Sequence, residues 1–222
     1  MRYDLAIFDI DGTLADSFPF FVSVQNRLAD KHGFRRIEPG ELEALRRLSA
    51  RELMRHAGLS RWKLPFVARS YVKLMRDEGH AVTRFGAVDA ALATLAERGI
   101  ALAVVSSNSA ENCRRVLGED NWRRLVHVEC GASIFGKRRR LARVVKRAGV
   151  AAQRAIYVAD QTTDAEAARA AGLAFAAVGW GYAALPSLVA LRPEVVIERV
   201  EDLAVRLLED DSAPSGLSPL PQ

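Results

Sequence analysis

The sequence predicts an α/β protein: a parallel β-sheet covered by helices on both faces, interrupted after its first strand by an all-helical insert. Three observations carry that expectation. Short apolar runs alternate with stretches of helical periodicity along most of the chain. Those runs are almost continuously apolar, as strands buried on both faces are, with little polar alternation. From about residue 17 to 84 the alternation stops, and every pattern is helical.

Taken in order, residues 3–9 read as the first strand, with Leu5-Ala6-Ile7-Phe8 leading to Asp9. The insert follows, with helical patterns over 20–32, 39–48, 50–57 and 64–78. Five further strands are expected at 100–106, 125–130, 155–160, 174–178 and 195–197. Helices are expected between and after them, at 87–98, 110–117, 137–148, 163–171, 183–191 and 200–208. Gly99, Gly118, Gly149 and Gly172 each follow a helical pattern, where a left-handed residue commonly ends a helix. The expected organisation is a core of residues 1–16 and 85–209, a helical cap of residues 17–84, and a disordered tail, 210–222, rich in Ser and Pro.

The composition bounds the function. The 222 residues suit one domain, or a core with a smaller insert, and half of them are apolar. A net charge of +5 favours anionic partners. The basic residues are scattered except for Lys137-Arg138-Arg139-Arg140, with neither zinc-finger spacing nor aromatic-interleaved basic strands, so a small anion suits the charge better than nucleic acid. Cys113 and Cys130 have no metal-type spacing and read as ordinary reduced thiols of a cytoplasmic protein. Asp4 and Asp9 break the first apolar stretch, which is no signal peptide. Residues 173–191 lack charge over a length that could span a bilayer, but Gly179, Gly181, Pro186 and Ser187 break them into a strand, a loop and a short helix. No membrane association is expected, and the oligomeric state cannot be read from the sequence.

The chemistry starts at the end of the first strand. Asp9 and Asp11 lie on one side of an extended chain, with Ile10 on the other, and Gly12 allows a sharp turn. Two carboxylates this close repel, and a hard divalent cation would relieve the repulsion. Three later segments each follow a strand: Ser106-Ser107-Asn108, Gly136-Lys137, and Asp160 with Asp164. Each has a plain reading alone. The serines and Asn108 would cap a helix, Lys137 would open a solvated basic face, and Asp160 and Asp164 would occupy a turn and a helix start. Their occurrence together, in order and each after a strand, favours a functional site.

In that order the segments resemble the four motifs of the haloacid dehalogenase superfamily, most closely its phosphoglycolate-phosphatase-like branch. Asp9-Ile10-Asp11-Gly12-Thr13-Leu14 is similar to the first motif, Ser106 to the second, Lys137 to the third, and Asp160 with Asp164 to the fourth. The resemblance implies a Rossmann-like core with a helical cap, and a phosphatase acting on a small phosphorylated metabolite with Mg2+. It implies Asp9 as nucleophile and Asp11 as general acid and base. The metal would sit among Asp9, the main-chain carbonyl of Asp11 and Asp160, with Asp164 supporting its shell. Ser106, with Ser107 and Asn108 beside it, would hold the phosphoryl oxygens, and Lys137 would pair with Asp9 and the transferring group. Which serine contacts phosphate stays open. Ala159 and Gln161 depart from the family pattern, the first placing a methyl where glycine is usual. The cap arginines Arg46, Arg47, Arg51 and Arg55 either form a solvated face or hold a second anionic group of the substrate. A phosphomutase of the same superfamily, and a non-catalytic binding module on the same scaffold, remain as alternatives. A dehalogenase or phosphonate hydrolase is disfavoured by Asp11.

Overall fold

A computed structural model describes residues 2–48, 50–131 and 136–209. Six strands form one all-parallel sheet: β1 (Leu5–Phe8), β2 (Ala101–Val105), β3 (Leu125–Glu129), β4 (Ala155–Ala159), β5 (Ala174–Val178) and β6 (Val195–Ile197), in the order β3-β2-β1-β4-β5-β6. The helices are α1 (Phe18–His32), α2 (Leu42–Leu45), α3 (Ala50–His56), α4 (Leu64–Glu78), α5 (Val88–Glu97), α6 (Ala110–Arg124), α7 (Lys137–Ala148), α8 (Thr162–Ala170), α9 (Leu185–Val189) and α10 (Leu203–Leu208).

The near-continuous apolar strands are explained by two packed layers. Ala6, Phe8, Leu102, Val104, Ile156 and Val158 face a cluster completed by α5, α6 and α10. Leu5, Ile7, Val105, Tyr157 and Phe175 face the opposite cluster, completed by α7, α8 and α9. Because side chains alternate along a strand, a sheet covered on both faces buries every residue of its central strands. All four residues of β1 are fully buried.

Helices α1 to α4 lie between β1 and β2. The chain leaves the core beside the place where it returns: Ala15 and Arg84 form an antiparallel bridge, Asp16 N–H donates to Thr83 O at 2.9 Å, and Phe85 N–H donates to Leu14 O at 3.0 Å. Phe20 and Phe21 of α1 meet Tyr71 of α4 at ring-centroid distances of 6.0 and 6.1 Å.

Three expected elements differ clearly in extent, the first being the helix expected at 39–48, which is a 3-10 turn at Pro39–Glu41 followed by Leu42–Leu45. The helix expected at 110–117 continues to Arg124. Gly118 does leave the helical path, at φ 74° and ψ 162°, but Asn121 donates back to Leu117 O at 3.1 Å and the Arg114–Glu119 ion pair spans the break, so the helix resumes. The helix expected at 183–191 shrinks to Leu185–Val189, because the Ala183 and Ala184 N–H groups donate instead to Asp160 O at 3.3 Å and Arg46 O at 2.8 Å. The uncharged stretch from residue 173 therefore forms β5, a loop and α9, and among the described residues no helix is long and apolar enough to cross a membrane. Cys113 and Cys130 lie closer than their spacing suggested, with Sγ atoms 3.5 Å apart. The expected disordered tail, 210–222, falls outside the described residues, as do the four residues just before Gly136.

The burial pattern sets a stability test. Ile7→Ala, at a fully buried position of β1, is expected to lower unfolding free energy by about 2–5 kcal/mol. Val205→Ala, on the exposed side of α10, should stay within about 0.5 kcal/mol. Urea denaturation of both variants checks the difference.

Candidate active site

The sheet order places the site. β1 pairs with β2 on one side and β4 on the other, so the chain's winding reverses at β1. Open α/β sheets bind ligands at the carboxyl ends of strands flanking such a reversal. Those ends carry Asp9, Ser106 and Asp160, one from each of three adjacent strands.

Asp9 is held from two directions. Its Oδ1 accepts from Ile10 N–H at 2.8 Å, and its Oδ2 accepts from Lys137 Nζ at 2.7 Å. The same ammonium donates to Asp164 Oδ1 at 2.5 Å. Lys137 begins α7, and Asp164 lies in the first turn of α8. Each is thus delivered by a helix that follows a strand end. Burial works against the Lys137 charge, but Asp164 and Asp9 more than reverse that and hold its pKa well above the usual lysine value. The lysine is therefore a fixed cation and not a solvated one.

Asp160 is gripped equally closely. Thr13 Oγ1 donates to its Oδ1 at 3.1 Å, and Tyr182 N–H donates to its Oδ2 at 2.7 Å. The two loops that supply these donors approach so near that only glycine fits. A Cβ on Gly12 would stand 2.3 Å from Asp160 Oδ2, and one on Gly181 would stand 2.2 Å from Asp160 Cβ. Gly12 also adopts φ 75°, a left-handed conformation that favours glycine. Trp180 Nε1–H donates to Thr13 O at 3.0 Å and its ring packs edge-on against Phe85, which ties the two loops together. The methyl of Ala159 packs into the apolar layer under α7 and α8.

Asp9, Asp160 and Asp164 each offer a carboxylate oxygen, and these three oxygens lie within 4.8 Å of one another. Asp164 Oδ2 and Asp11 Oδ1 are buried without a hydrogen-bond partner. Four carboxylates thus face one ammonium, and a hard divalent cation fits both the all-oxygen donor set and the excess negative charge. Asp11 stands at the mouth of this cluster. Burial, and then the charge of Asp9, push its pKa up to about 6, while Asn108 and Ser17 draw it partly back. Asn108 Nδ2 donates to Asp11 Oδ2 at 2.9 Å.

The structure brings Asp9, Lys137, Asp160 and Asp164 into one cluster, with Asp11 and Asn108 joined beside it. Ser106 is buried, and its Oγ accepts from Asn108 N–H at 3.1 Å, while Ser107 is half-buried next to it. None of these three caps the following helix. That is done by Ser109, whose Oγ accepts from Asn112 N–H at 3.2 Å. Arg46 is not free to hold a substrate anion, because its guanidinium donates to the carbonyls of Gly181 and Tyr182 at 2.8 and 3.1 Å and stacks over Phe18.

Sequence reasoning missed Thr13 and Tyr182. The available signal was Gly179-Trp180-Gly181-Tyr182 directly after a strand, since paired glycines there mark close backbone approach.

Known proteins resemble this chain in sequence and in fold. Residues 6–178 match the family model described as haloacid dehalogenase-like hydrolase. A phosphoglycolate phosphatase from Synechococcus elongatus is 38% identical over 198 residues, covering 89% of this chain and 93% of that protein. A haloacid dehalogenase-like hydrolase from Streptococcus pneumoniae superposes with a TM-score of 0.74 at 15% identity, covering 93% of this chain and 99% of that one. A Thermotoga maritima structure assigned as a β-phosphoglucomutase gives 0.62 at 21% identity, covering 92% and 98%. The chain belongs to the haloacid dehalogenase-like hydrolase family. Within that family it is a phosphatase, as relatives named phosphoglycolate phosphatase indicate.

Two outcomes follow from the crowding. Gly181→Ala is expected to abolish the stabilisation that a divalent cation gives, because Asp160 must move, as thermal melts with and without MgCl2 would show. The second concerns pH. Burial raises the pKa of Asp11 to about 6, and burial with the neighbouring aspartates raises that of Asp160. Both lie above the unfolded value, so each contributes stability that is present below about pH 4; the contribution of Asp11 is lost as pH rises through about 6, and that of Asp160 is lost in the same direction. A cation binds the ionised carboxylates, so MgCl2 should raise the melting temperature more at pH 7.5 than at pH 5.

Proposed function

We propose that the chain is a Mg2+-dependent phosphatase that hydrolyses a small phosphomonoester of the phosphoglycolate type through an aspartyl-phosphate on Asp9. The observation that carries this reading is the Lys137 ammonium bridging Asp9 and Asp164 beside Asp160, with a second carboxyl, Asp11, whose pKa is raised towards neutrality. The substrate class follows from relatives named phosphoglycolate phosphatase, at 38% and 28% identity.

In the first step an Asp9 oxygen attacks phosphorus while the bond to the leaving oxygen breaks. Asp11 gives that oxygen its proton. In the second step water attacks phosphorus, Asp11 takes its proton, and the bond between Asp9 and phosphorus breaks to release inorganic phosphate. Lys137 opposes the charge that accumulates on the transferring group and holds Asp9 in place. Ser106 and Ser107 line the phosphoryl oxygens, while Asn108 positions Asp11. Mg2+, held by Asp9, Asp160 and the Asp11 main-chain carbonyl with Asp164 in support, would supply positive charge that lets an anionic nucleophile approach an anionic ester.

The test is phosphate release from a panel of small phosphomonoesters, phosphoglycolate included, with MgCl2 and with EDTA. Turnover should require the metal. Asp9→Asn should lose about three orders of magnitude or more, and Asp11→Asn about 10²–10⁴-fold. Phosphate transfer between sugar hydroxyls that requires a bisphosphate, with no net release, would identify a mutase instead. No turnover on either panel would leave a binding module.

A further inference from the structure

The residue that closes the acid cluster from the far side, Tyr182, also touches the helical insert. Its N–H donates to Asp160 Oδ2 at 2.7 Å. Its hydroxyl lies 3.2 Å from the hydroxyl of Tyr71 on α4 and 3.0 Å from Ser17 Oγ at the start of α1. Its ring meets Phe18 and Phe21 of α1 at centroid distances of 5.2 and 5.4 Å. Its carbonyl, and that of Gly181, accept from Arg46, which follows α2. The next N–H groups in the chain continue the pattern, Ala183 donating to Asp160 O and Ala184 to Arg46 O. One short loop, 181–184, is thus hydrogen-bonded on one side to a carboxylate of the acid cluster and on the other to three separate parts of the insert.

The site demands that the insert move. Asp9 is 5% exposed, and Asp160, Asp164 and Ser106 are fully buried, so a phosphate ester reaches them only when the insert lifts. Lifting it breaks the Tyr71–Tyr182 and Arg46–loop contacts, which are what hold the loop in the position that donates to Asp160. Gly181 leaves no slack, since its backbone already lies against Asp160.

Building on the metal-dependent reading above, we propose that Tyr71, Tyr182 and Arg46 are positioning residues that couple closure of the insert to divalent-cation binding at Asp160, with the 181–184 loop as the connection. Closure presses the loop onto Asp160 and orients its carboxylate; a bound cation fixes the carboxylate and so favours the closed insert. The coupling is reciprocal, as any linkage between two binding equilibria must be. Among the described residues neither Tyr71 nor Arg46 hydrogen-bonds to Asp9, Asp160 or Asp164, so an effect of either on cation affinity reports the connection and not direct ligation.

The experiment titrates Mg2+ alone against the full chain, read by melting temperature and by hydrogen exchange of α4 peptides, for wild type, Tyr71→Phe, Tyr182→Phe, the double variant and Arg46→Gln. Wild type should show slower exchange in α4 when Mg2+ is present. Tyr71→Phe and Arg46→Gln should each raise the Mg2+ half-saturation concentration about fivefold. The double phenol variant should lose little more than Tyr182→Phe alone, because the two hydroxyls bond to each other. Tyr71→Phe is conservative enough to fold. A lowered metal-free melting temperature with unchanged half-saturation would make Tyr71 merely structural and overturn the coupling. A shift confined to Tyr182→Phe would make the loop a local support for Asp160, and would overturn the role of the insert. A wild type whose melting and exchange ignore Mg2+ would overturn the metal-dependent reading as well.

Discussion

The ion pair between Lys137 and two aspartates is the interaction on which the rest of this structure depends. Asp9, Asp11, Asp160 and Asp164 converge at the ends of adjacent strands, where desolvation and neighbouring carboxylates oppose ionisation of Asp11, Asp160 and Asp164. A buried charge is tolerated only when it is paired and hydrogen-bonded. Lys137 supplies the pairing, and the N–H groups of Ile10 and Tyr182 with the Thr13 hydroxyl supply the hydrogen bonds. The surrounding backbone is shaped by the same need. The left-handed turn at Gly12, the glycines of the 179–182 loop and the helix starts at Lys137 and Thr162 all bring donors or cations to carboxylates.

That arrangement leaves repulsion only partly relieved. The orphaned oxygens of Asp11 and Asp164 show where compensation stops. Local strain of this kind, sustained by a well-packed sheet beneath it, is typical of sites whose chemistry needs charge held away from its preferred state. The two apolar layers under the strands are what make it sustainable.

Much of this was legible in the sequence because the relevant signals are local. Apolar runs identified the strands because burial on both faces leaves no room for polar residues in the central ones, although the edge strand β3 carries His127 and Glu129, and most of the glycines marked helix ends. Asp9, Asp11, Lys137, Asp160 and Asp164 were legible because each follows a strand. What stayed hidden depends on contacts between distant segments. The glycines before Tyr182 signal a close backbone approach but not its partner, Asp160, because a main-chain donor carries no residue-type signature. Arg46 looked like an available cation because its helical spacing suggested an exposed face, whereas its guanidinium folds onto carbonyls more than a hundred residues later. Gly118 looked like a stop, and only the side-chain bonds across it let the helix resume.

The neighbouring entry and exit of the helical insert carry a consequence for ancestry. Ala15 and Arg84 sit side by side as bridge partners, so the core sees the whole insert as a loop whose two ends are one strand spacing apart, about 5 Å. Replacing that loop by one of another length or architecture would change the core's chain closure by only a small entropy. A scaffold built this way can accept a different insert at the same two points, provided the new one again meets the 181–184 loop beside Asp160. Variation of the insert is then confined to a single doorway in the core.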